Sequence, residues 1–311
     1  MQKHGMERAA CIRVMILLWG IVSVTPGLWA SGSGGGSGLA FLKVGAGARA
    51  AAMGEAYTAV ATDALAAYWN PAGLADGRHS NLTLMHNRWF LDVVSNFAAL
   101  QLKGTSHAFA FHVYHFNIGD IPLRSIPSTL PLETVSAQYL SMGLSYARRL
   151  TPRVSAGVTV KYLFEKIYVE SAPGLAVDLG LRYRLPVHGV VIAASLQHLG
   201  RMSKLVHERT RLPTTFRAGV ALPLAIKEGW QVLLATDVSK PRSDGARLHA
   251  GAELSIWKQL FIRSGWVSGI ENQRFSVGVG VRKTAFEFNY SYTPLKNDLG
   301  NGQRFSLSVA L

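Results

Sequence analysis

Charged side chains occur at alternate positions in several stretches of this 311-residue chain, between glycine, serine and threonine. Alternation with a period of two places such residues on one face of an extended strand. A face rich in cations could favour anionic ligands such as carboxylates, or the same charges could form inward ladders that hydrate an enclosed interior. We favour the ladders. The candidate lining residues are Lys161, Asp178, Arg182, Arg217, Arg247, Glu253, Arg263, Arg282 and Glu287.

Residue types that support catalysis or metal binding are not grouped in the sequence. His107, His112 and His115 are close together, but their spacing places His112 and His115 on opposite faces of a strand. Ser, His and Asp occur without a local nucleophile motif such as G-x-S-x-G. We therefore expect no enzymatic activity, no catalytic or metal-binding residues and no cofactor.

A glycine motif at residues 45–50 (GAGARA) could indicate a nucleotide-binding site. It follows a short apolar stretch and matches G-x-G-x-x-A, the fingerprint that binds a dinucleotide. That function requires a strand, a helix and further parallel units, and no such units follow. We adopt the other interpretation, in which the small side chains of residues 45–67 let the backbone pack closely against a wall.

Residues 41–75 are nearly uncharged and end in the sequence YWNPAGLA. They resemble the N-terminal signature of the PorV/PorQ family of outer-membrane proteins, which is related to the FadL long-chain fatty-acid transporters. The matching positions are Gly47, Ala48, Arg49, Met53, Gly54, Asp63, Ala64, Trp69, Asn70, Pro71, Ala72 and Gly73. The resemblance implies a 14-stranded barrel with this segment, a plug, at or inside its mouth.

The same resemblance implies one of two functions. PorV-like proteins receive the C-terminal signal domains of secreted proteins in type IX secretion, whereas FadL-like proteins carry hydrophobic molecules past a plug. We expect the plug or gate to depend on Arg49, Gly54, Asp63, Trp69, Asn70, Pro71, Ala72 and Gly73. Arg49 and Asp63 are expected to meet opposite charges on the wall. The corner from Asn70 to Gly73 is expected to fix the junction with the first strand, since Pro71 restricts φ and Asn70 can bond the turn backbone.

Composition is typical of a membrane barrel. Hydrophobic residues make up 49% and charged residues 16% of the chain, with a mean hydropathy of +0.17. After residue 30 the sequence has no run of about 18 apolar residues, so a helix that spans the bilayer is not expected. The formal net charge is +14, but the basic residues are spread along the chain, which argues against nucleic-acid binding.

Residues 1–30 have the pattern of a secretory signal peptide. Basic residues precede an apolar run at 14–24, then Pro26-Gly27, and Ala30 is a small residue suited to cleavage. Cys11 lies within this segment, so the mature chain is expected to have no thiol. A Gly/Ser-rich spacer follows at 31–40, then the plug at 41–79. The expected location is the outer membrane, with both termini in the periplasm.

From about residue 80 to residue 311 the hydrophobic period is two, which predicts about fourteen antiparallel strands. Short connections alternate with longer ones at 118–135, 165–173, 201–213, 240–245 and 295–302. A soluble β-sandwich also alternates, but here the second face carries Gly, Ser, Thr and charge. We therefore predict an all-β transmembrane barrel surrounded by lipid. Aromatic residues suited to its interfacial girdle are Tyr146, Tyr183, Trp230, Trp257, Trp266, Tyr290 and Tyr292.

The last segment of the chain has the alternation of a terminal barrel strand. Phe305, Leu307, Val309 and Leu311 lie on one face, as in strands that outer-membrane insertion machinery recognises. The family pattern ends in an aromatic residue, and this chain has Leu311 there. We expect residues 303–311 to act as the insertion signal.

Overall fold

The computed structural model describes residues 38–89, 93–123, 133–270, 273–297 and 300–311. The predicted signal peptide and residues 31–37 of the predicted spacer lie outside these ranges. Within them, fourteen strands form one closed barrel. The wall strands are β1 (Asn81–Arg88), β2 (Val94–Lys103), β3 (His107–Leu123), β4 (Glu133–Arg149), β5 (Val154–Ile167), β6 (Glu170–Arg184), β7 (Val191–Met202), β10 (Thr215–Lys227), β11 (Trp230–Pro241), β12 (Arg247–Ile256), β13 (Leu260–Ser268), β14 (Phe275–Lys283), β15 (Phe286–Pro294) and β16 (Asn301–Ala310).

Every neighbouring pair in the wall is antiparallel, and the first strand pairs with the last. The β1–β16 register runs from Asn81 opposite Ala310 to Arg88 opposite Gln303. This pairing leaves the sheet without an open edge, which is what a bilayer requires of a β-structure. The predicted 14-stranded antiparallel barrel is confirmed.

The two faces of the wall differ as the alternation predicts. On β5, for example, Val160 and Tyr162 are exposed on the outside, whereas Thr159 and Lys161 are buried inside. Apolar side chains on the outer face match lipid, and polar side chains on the inner face meet one another and the chain within the lumen.

The ends of the barrel have different connections. At the short-turn end, the strands are joined by residues 104–106, 150–153, 185–190, 228–229, 257–259 and 284–285. At the opposite end, here called the long-loop end, the connections include 203–214, 242–246 and 295–300. Residues 203–214 also contain a small hairpin of two short strands, β8 (Lys204–Leu205) and β9 (Glu208–Arg209).

Two of the expected long loops differ from the prediction. At 118–135, residues 118–123 belong to β3 and residues 133–135 to β4, and the residues between them lie outside the described ranges. The expected loop at 165–173 is wrong, because only 168–169 separate β5 from β6. The pairs Glu165–Ala172 and Ile167–Glu170 continue the ladder. The sequence misleads here because the apolar outer face ends near Phe164, whereas backbone hydrogen bonds between strands do not require apolar side chains.

In the part of the chain that the structure describes, helical structure lies only before β1. It consists of α1 (Ala48–Ala52), α2 (Ala66–Trp69) and two 3-10 turns, Ala40–Lys43 and Pro71–Asp76. Among the described residues, none of the helices has the length and apolar character needed to cross a membrane. We call residues 39–76 the inner segment. Nearly all of its residues are buried, and they pack against inward-facing side chains of the wall.

Candidate functional site

The inner segment runs from the long-loop end of the barrel to the short-turn end. Near its start, the Lys43 ammonium lies 3.1 Å from the Asp244 carboxylate in the connection between β11 and β12. At its end, Asp76 lies 3.3 Å from Arg149, the last residue of β4. The segment therefore passes through the lumen before the chain enters β1 at Asn81.

The contact at the long-loop end is electrostatically favourable. Burial alone would raise the pKa of Asp244, but hydrogen bonds from Lys43 and Ser243, together with Arg247, hold that pKa below its usual range. Arg247 lies 2.6 Å from the same carboxylate. Arg247, predicted as a lining residue, thus helps to fix the start of the inner segment.

Arg49, on α1, makes the central ion pair between the inner segment and the wall. Its Nε and Nη2 each lie 2.7 Å from an oxygen of Glu253. Arg263 donates to the same carboxylate at 2.6 Å and to the Asn289 Oδ1 at 2.7 Å. The two-point geometry fixes the orientation of the guanidinium as well as its position. Arg49 therefore meets the opposite wall charge that the sequence led us to expect.

Asp63 does not have the expected wall partner. Its Oδ1 accepts a hydrogen bond from the backbone N–H of Leu65 at 3.1 Å, and no basic side chain lies within 4.0 Å among the described residues. The physical reason is local, since the carboxylate of an aspartate before a helical turn can accept a hydrogen bond from a backbone N–H two residues further along.

Gly54 permits the closest approach of the inner segment to the wall. Its φ is +63°, and a Cβ placed there would lie 2.7 Å from the backbone N and 2.8 Å from the backbone O of Trp266. Its N–H donates to the Ser276 Oγ at 3.2 Å, and its carbonyl lies 2.8 Å from the His249 Nδ1. Only glycine fits both the conformation and the space.

Trp69 organises the centre of the inner segment. Its indole N–H donates to the carbonyl of Ala46 at 2.8 Å, which ties α2 back to the glycine motif at 45–50. The Arg217 guanidinium lies over its ring at 4.7 Å, and Gln197 donates to its carbonyl at 2.9 Å. The glycine motif therefore serves close packing around Trp69.

The corner from Asn70 to Gly73 docks on the wall. The Asn70 Oδ1 accepts from the backbone N–H of Ala72 at 3.1 Å, and its Nδ2 donates to the carbonyl of Leu181 on β6 at 3.2 Å. Pro71 begins the 3-10 turn. On β6, Gly180 lies directly against Asn70, because any Cβ there would collide with the Asn70 Oδ1.

The expected role of this corner at the first strand is wrong. The corner contacts β5 and β6, and β1 begins only at Asn81. The junction with β1 lies further along, where Gln101 donates to the carbonyl of Leu74 at 2.8 Å and Asn81 donates to Gln101 at 2.7 Å. The sequence predicts the tight turn at Asn70 to Gly73, but it does not predict which strands of the wall the turn contacts.

All nine predicted lining residues lie on the inward face, and each is close to a charge of opposite sign. Lys161 lies 2.6 Å from Asp178, Arg182 lies 3.4 Å from Asp76, and Arg217 lies 3.7 Å from Asp237. Arg282 and Glu287 pair with each other. The lumen charges thus form ladders and attach the inner segment, which favours the second of the two interpretations drawn from the sequence.

Several residues of this network were not identified from the sequence. Asp237 accepts the backbone N–H groups of Tyr57 at 3.0 Å and Thr58 at 2.8 Å, so it holds the inner segment directly. His198 lies 2.8 Å from the Lys161 Nζ, next to a register shift between β6 and β7. The alternation placed Asp237 inside, but no local pattern distinguished it from other inward polar residues.

Little space remains around the inner segment on its long-loop side. The cavity between Leu42, Trp69 and Arg217 has a volume of about 20 Å³, which is room for a water molecule. A larger polar cavity of about 480 Å³ opens at the short-turn side, lined by Arg49, Asp63 and Glu253 among others. In the described parts of the chain, no group of three or more His, Cys, Asp or Glu side chains is arranged to hold a metal ion.

Comparison with known proteins agrees with this architecture. The sequence pattern of the family described as type IX secretion system protein PorV matches residues 35–181, which include the inner segment and most of β1–β6. No curated protein sequence matches the chain.

Two solved structures have a similar fold. The CymD monoaromatic hydrocarbon channel has 12% sequence identity and a TM-score of 0.60, covering 86% of this chain and 96% of its own. The Pseudomonas putida toluene transporter TodX has 13% identity and a TM-score of 0.58, covering 85% and 96%. The chain is thus a bacterial outer-membrane β-barrel with the fold of these two channels, and its residues 35–181 match the PorV family.

Proposed function

We propose that this protein is an accessory of protein secretion that binds the C-terminal signal domain of secreted proteins at its long-loop end. The family match supports a PorV-type role over residues 35–181. The observation that carries the proposal is that the lumen is filled on its long-loop side. The inner segment occupies it through buried contacts, and the cavity of about 20 Å³ beside Trp69 admits no organic ligand.

The long-loop end provides the surface for such a partner. Strands β3, β4, β5 and β6 have 17, 17, 14 and 15 residues, whereas β13, β14 and β15 have 9 each. The longer strands extend past the ~9–11 residues that cross the bilayer. At the β5–β6 turn, Tyr168 is 48% exposed and Val169 is 69% exposed. Exposed apolar groups on a raised hairpin are suited to contact with a protein partner.

The proposal includes an orientation in the membrane. The short-turn end faces the periplasm and the long-loop end faces outward, as in other outer-membrane barrels. Residues 1–30 act as a cleaved signal peptide, and lipid covers the apolar outer face. Leu311 lies at the short-turn end, beside Ser80, whereas Leu39 lies toward the other end. The proposed activity is binding, without a catalytic step or cofactor.

The second candidate function is passage of hydrophobic or amphipathic small molecules. It is favoured by the fold of CymD and TodX, whose descriptions name hydrocarbon transport. Contacts made by Gly and Ala bury little apolar area for each residue, so the inner segment could shift without loss of a large core. Transport would require that shift, because the space beside Trp69 is too small in its present position.

Binding to a purified C-terminal signal domain, measured by biolayer interferometry, tests the proposal. We expect saturable binding that falls at least about tenfold when Tyr168 and Val169 are both changed to Ser, because two apolar contacts are lost. The matched control is Val187→Ser at the short-turn end, where the side chain is 48% exposed. No saturable binding, together with protein-dependent uptake of toluene into liposomes, would replace the secretion role with transport.

A further inference from the structure

Three arginines converge on one carboxylate at the short-turn end of the lumen. The Asp76 oxygens lie 3.3 Å from Arg149, 3.4 Å from Arg182 and 3.9 Å from Arg184. Ser155 also donates to the Asp76 Oδ1 at 3.1 Å. One negative charge facing three guanidinium groups leaves an excess of two positive charges at this position.

Arg182 is the least satisfied member of this group. Its side chain is 7% exposed, and its Nε and Nη1 atoms make no hydrogen bond to the described residues. Burying a charged group without hydrogen-bond partners is costly. The single carboxylate of Asp76 is therefore too little to satisfy the cations around it.

An open cavity of about 440 Å³ lies next to Arg149, one of these three arginines. The other lining residues are Gly77, Arg78, His79, Lys103, Gly104 and Thr105. Lys103 and Arg149 continue the inward series of Gln101 and Ala147, which are both buried. The cavity therefore opens into the mouth of the barrel at the short-turn end, inside the ring of strands.

The cations of this cavity lack acidic partners apart from Asp76. Lys103 directs its Nζ at the carbonyl of Gly104, 2.6 Å away. In the described ranges, no Asp or Glu oxygen lies within 4.0 Å of Lys103 or of the exposed Arg78. Lys103 and Arg78, together with Arg149, thus present donors and positive charge to one small volume.

We propose that this cavity is a binding site for a phosphate group. A phosphate monoester carries close to two negative charges at neutral pH, which matches the two lining cations without an acidic partner among the described residues, Arg78 and Lys103. Its oxygens accept several charge-assisted hydrogen bonds, and arginine is well suited to bind them in pairs. The phosphate can belong to a soluble ester or to a lipid headgroup at the membrane surface.

Calorimetric titration with glycerol 3-phosphate on the detergent-purified barrel tests the site. In a second arm, the same protein is titrated with nanodiscs of phosphatidylcholine that contain or lack phosphatidic acid. This arm separates a lipid source of the phosphate from a soluble one. We expect saturable binding in at least one arm. The double variant Arg78→Gln with Lys103→Gln is expected to lose at least about tenfold in affinity, because two charge-assisted contacts disappear.

Arg153→Gln is the matched control, since it removes one exposed cation from the neighbouring β4–β5 turn without touching the cavity. It should bind as the parent does. Arg78→Gln alone alters only an exposed side chain, so it keeps the test valid if the double variant fails to fold. No saturable binding in either arm, unchanged affinity in Arg78→Gln, or an equal loss in Arg153→Gln would overturn the proposal.

Discussion

At the scale of single residues, the inner segment is held by steric fit and by a few ion pairs. Gly54 approaches the backbone of Trp266 more closely than any other residue type could. Arg49 adds a two-point contact with Glu253, at 2.7 Å for each hydrogen bond. The small side chains determine how close the segment lies, and the charges determine where it sits.

Replacing Gly54 by Ala is expected to loosen the inner segment. The new Cβ would meet the Trp266 backbone, and the positive φ adds about 1–3 kcal/mol of strain. Limited proteolysis should then cut within the inner segment of Gly54→Ala while the wall strands stay protected. Gly300→Ala is the matched control, because Gly300 has a φ of +82° and a Cβ added there would meet no atom within 4 Å. Equal protease resistance of Gly54→Ala and the parent would contradict the steric argument.

The partners of Arg49, Asp63 and Asp76 show which contacts of single residues the sequence predicts and which it does not. Arg49 was identified with the correct kind of partner, because a basic residue in an uncharged segment needs an acid nearby. Asp63 was assigned the same role, but its carboxylate bonds the Leu65 backbone N–H instead. Asp76, which gathers three arginines, was missed because its partners lie on β4 and β6, far away in the sequence.

At the scale of elements, the corner at Asn70 and the strand β16 have separate tasks. Asn70 is fully buried and links the inner segment to β6 through Leu181. The strand β16 closes the wall by pairing with both β1 and β15. A change at the corner should therefore disturb the inner segment, and a change at β16 should disturb the barrel.

Changing Asn70 and Pro71 together to Ala tests the corner. The wall ladder does not depend on these side chains, so barrel abundance should stay unchanged. The Ala72 N–H and the Leu181 carbonyl lose their partner, so the corner no longer holds the inner segment against β6. Binding of the C-terminal signal domain to the β5–β6 hairpin should therefore weaken several-fold. Heat-modifiable gel migration reports the barrel, and biolayer interferometry reports the binding. Parallel loss of both would assign the corner a folding role, and no change in either would refute its role in binding.

Deleting residues 303–311 tests the terminal strand. All eight β1–β16 pairs are lost, so we expect no closed barrel and no heat-modifiable band in the outer membrane. Leu311→Phe keeps every backbone pair and restores an aromatic end, so it should raise the amount in the membrane if this residue is read during insertion. Unchanged levels in both variants would show that the insertion signal lies elsewhere.

At the scale of the whole molecule, the alternation of apolar and polar residues predicts most of the fold. The period of two indicated fourteen strands because each wall residue faces either lipid or lumen. It did not reveal that β6 already begins at Glu170, since polar residues such as Glu170 and Ser171 are acceptable beyond the lipid. Nor did it reveal the path of the inner segment, which depends on contacts such as Lys43 with Asp244, 201 positions apart.

The central claim is that the inner segment stays in place while the long-loop end binds its partner. A disulfide between the inner segment and the wall tests this claim most directly, in the variant Ala48→Cys with Ser306→Cys. The backbone N of Ala48 lies 2.9 Å from the Ser306 Oγ, so the two residues are in direct contact across the boundary between the inner segment and β16. The oxidised protein is expected to bind the C-terminal signal domain with the same affinity as the reduced protein. Loss of binding on oxidation, restored by reduction, would contradict the account and show that the inner segment must move.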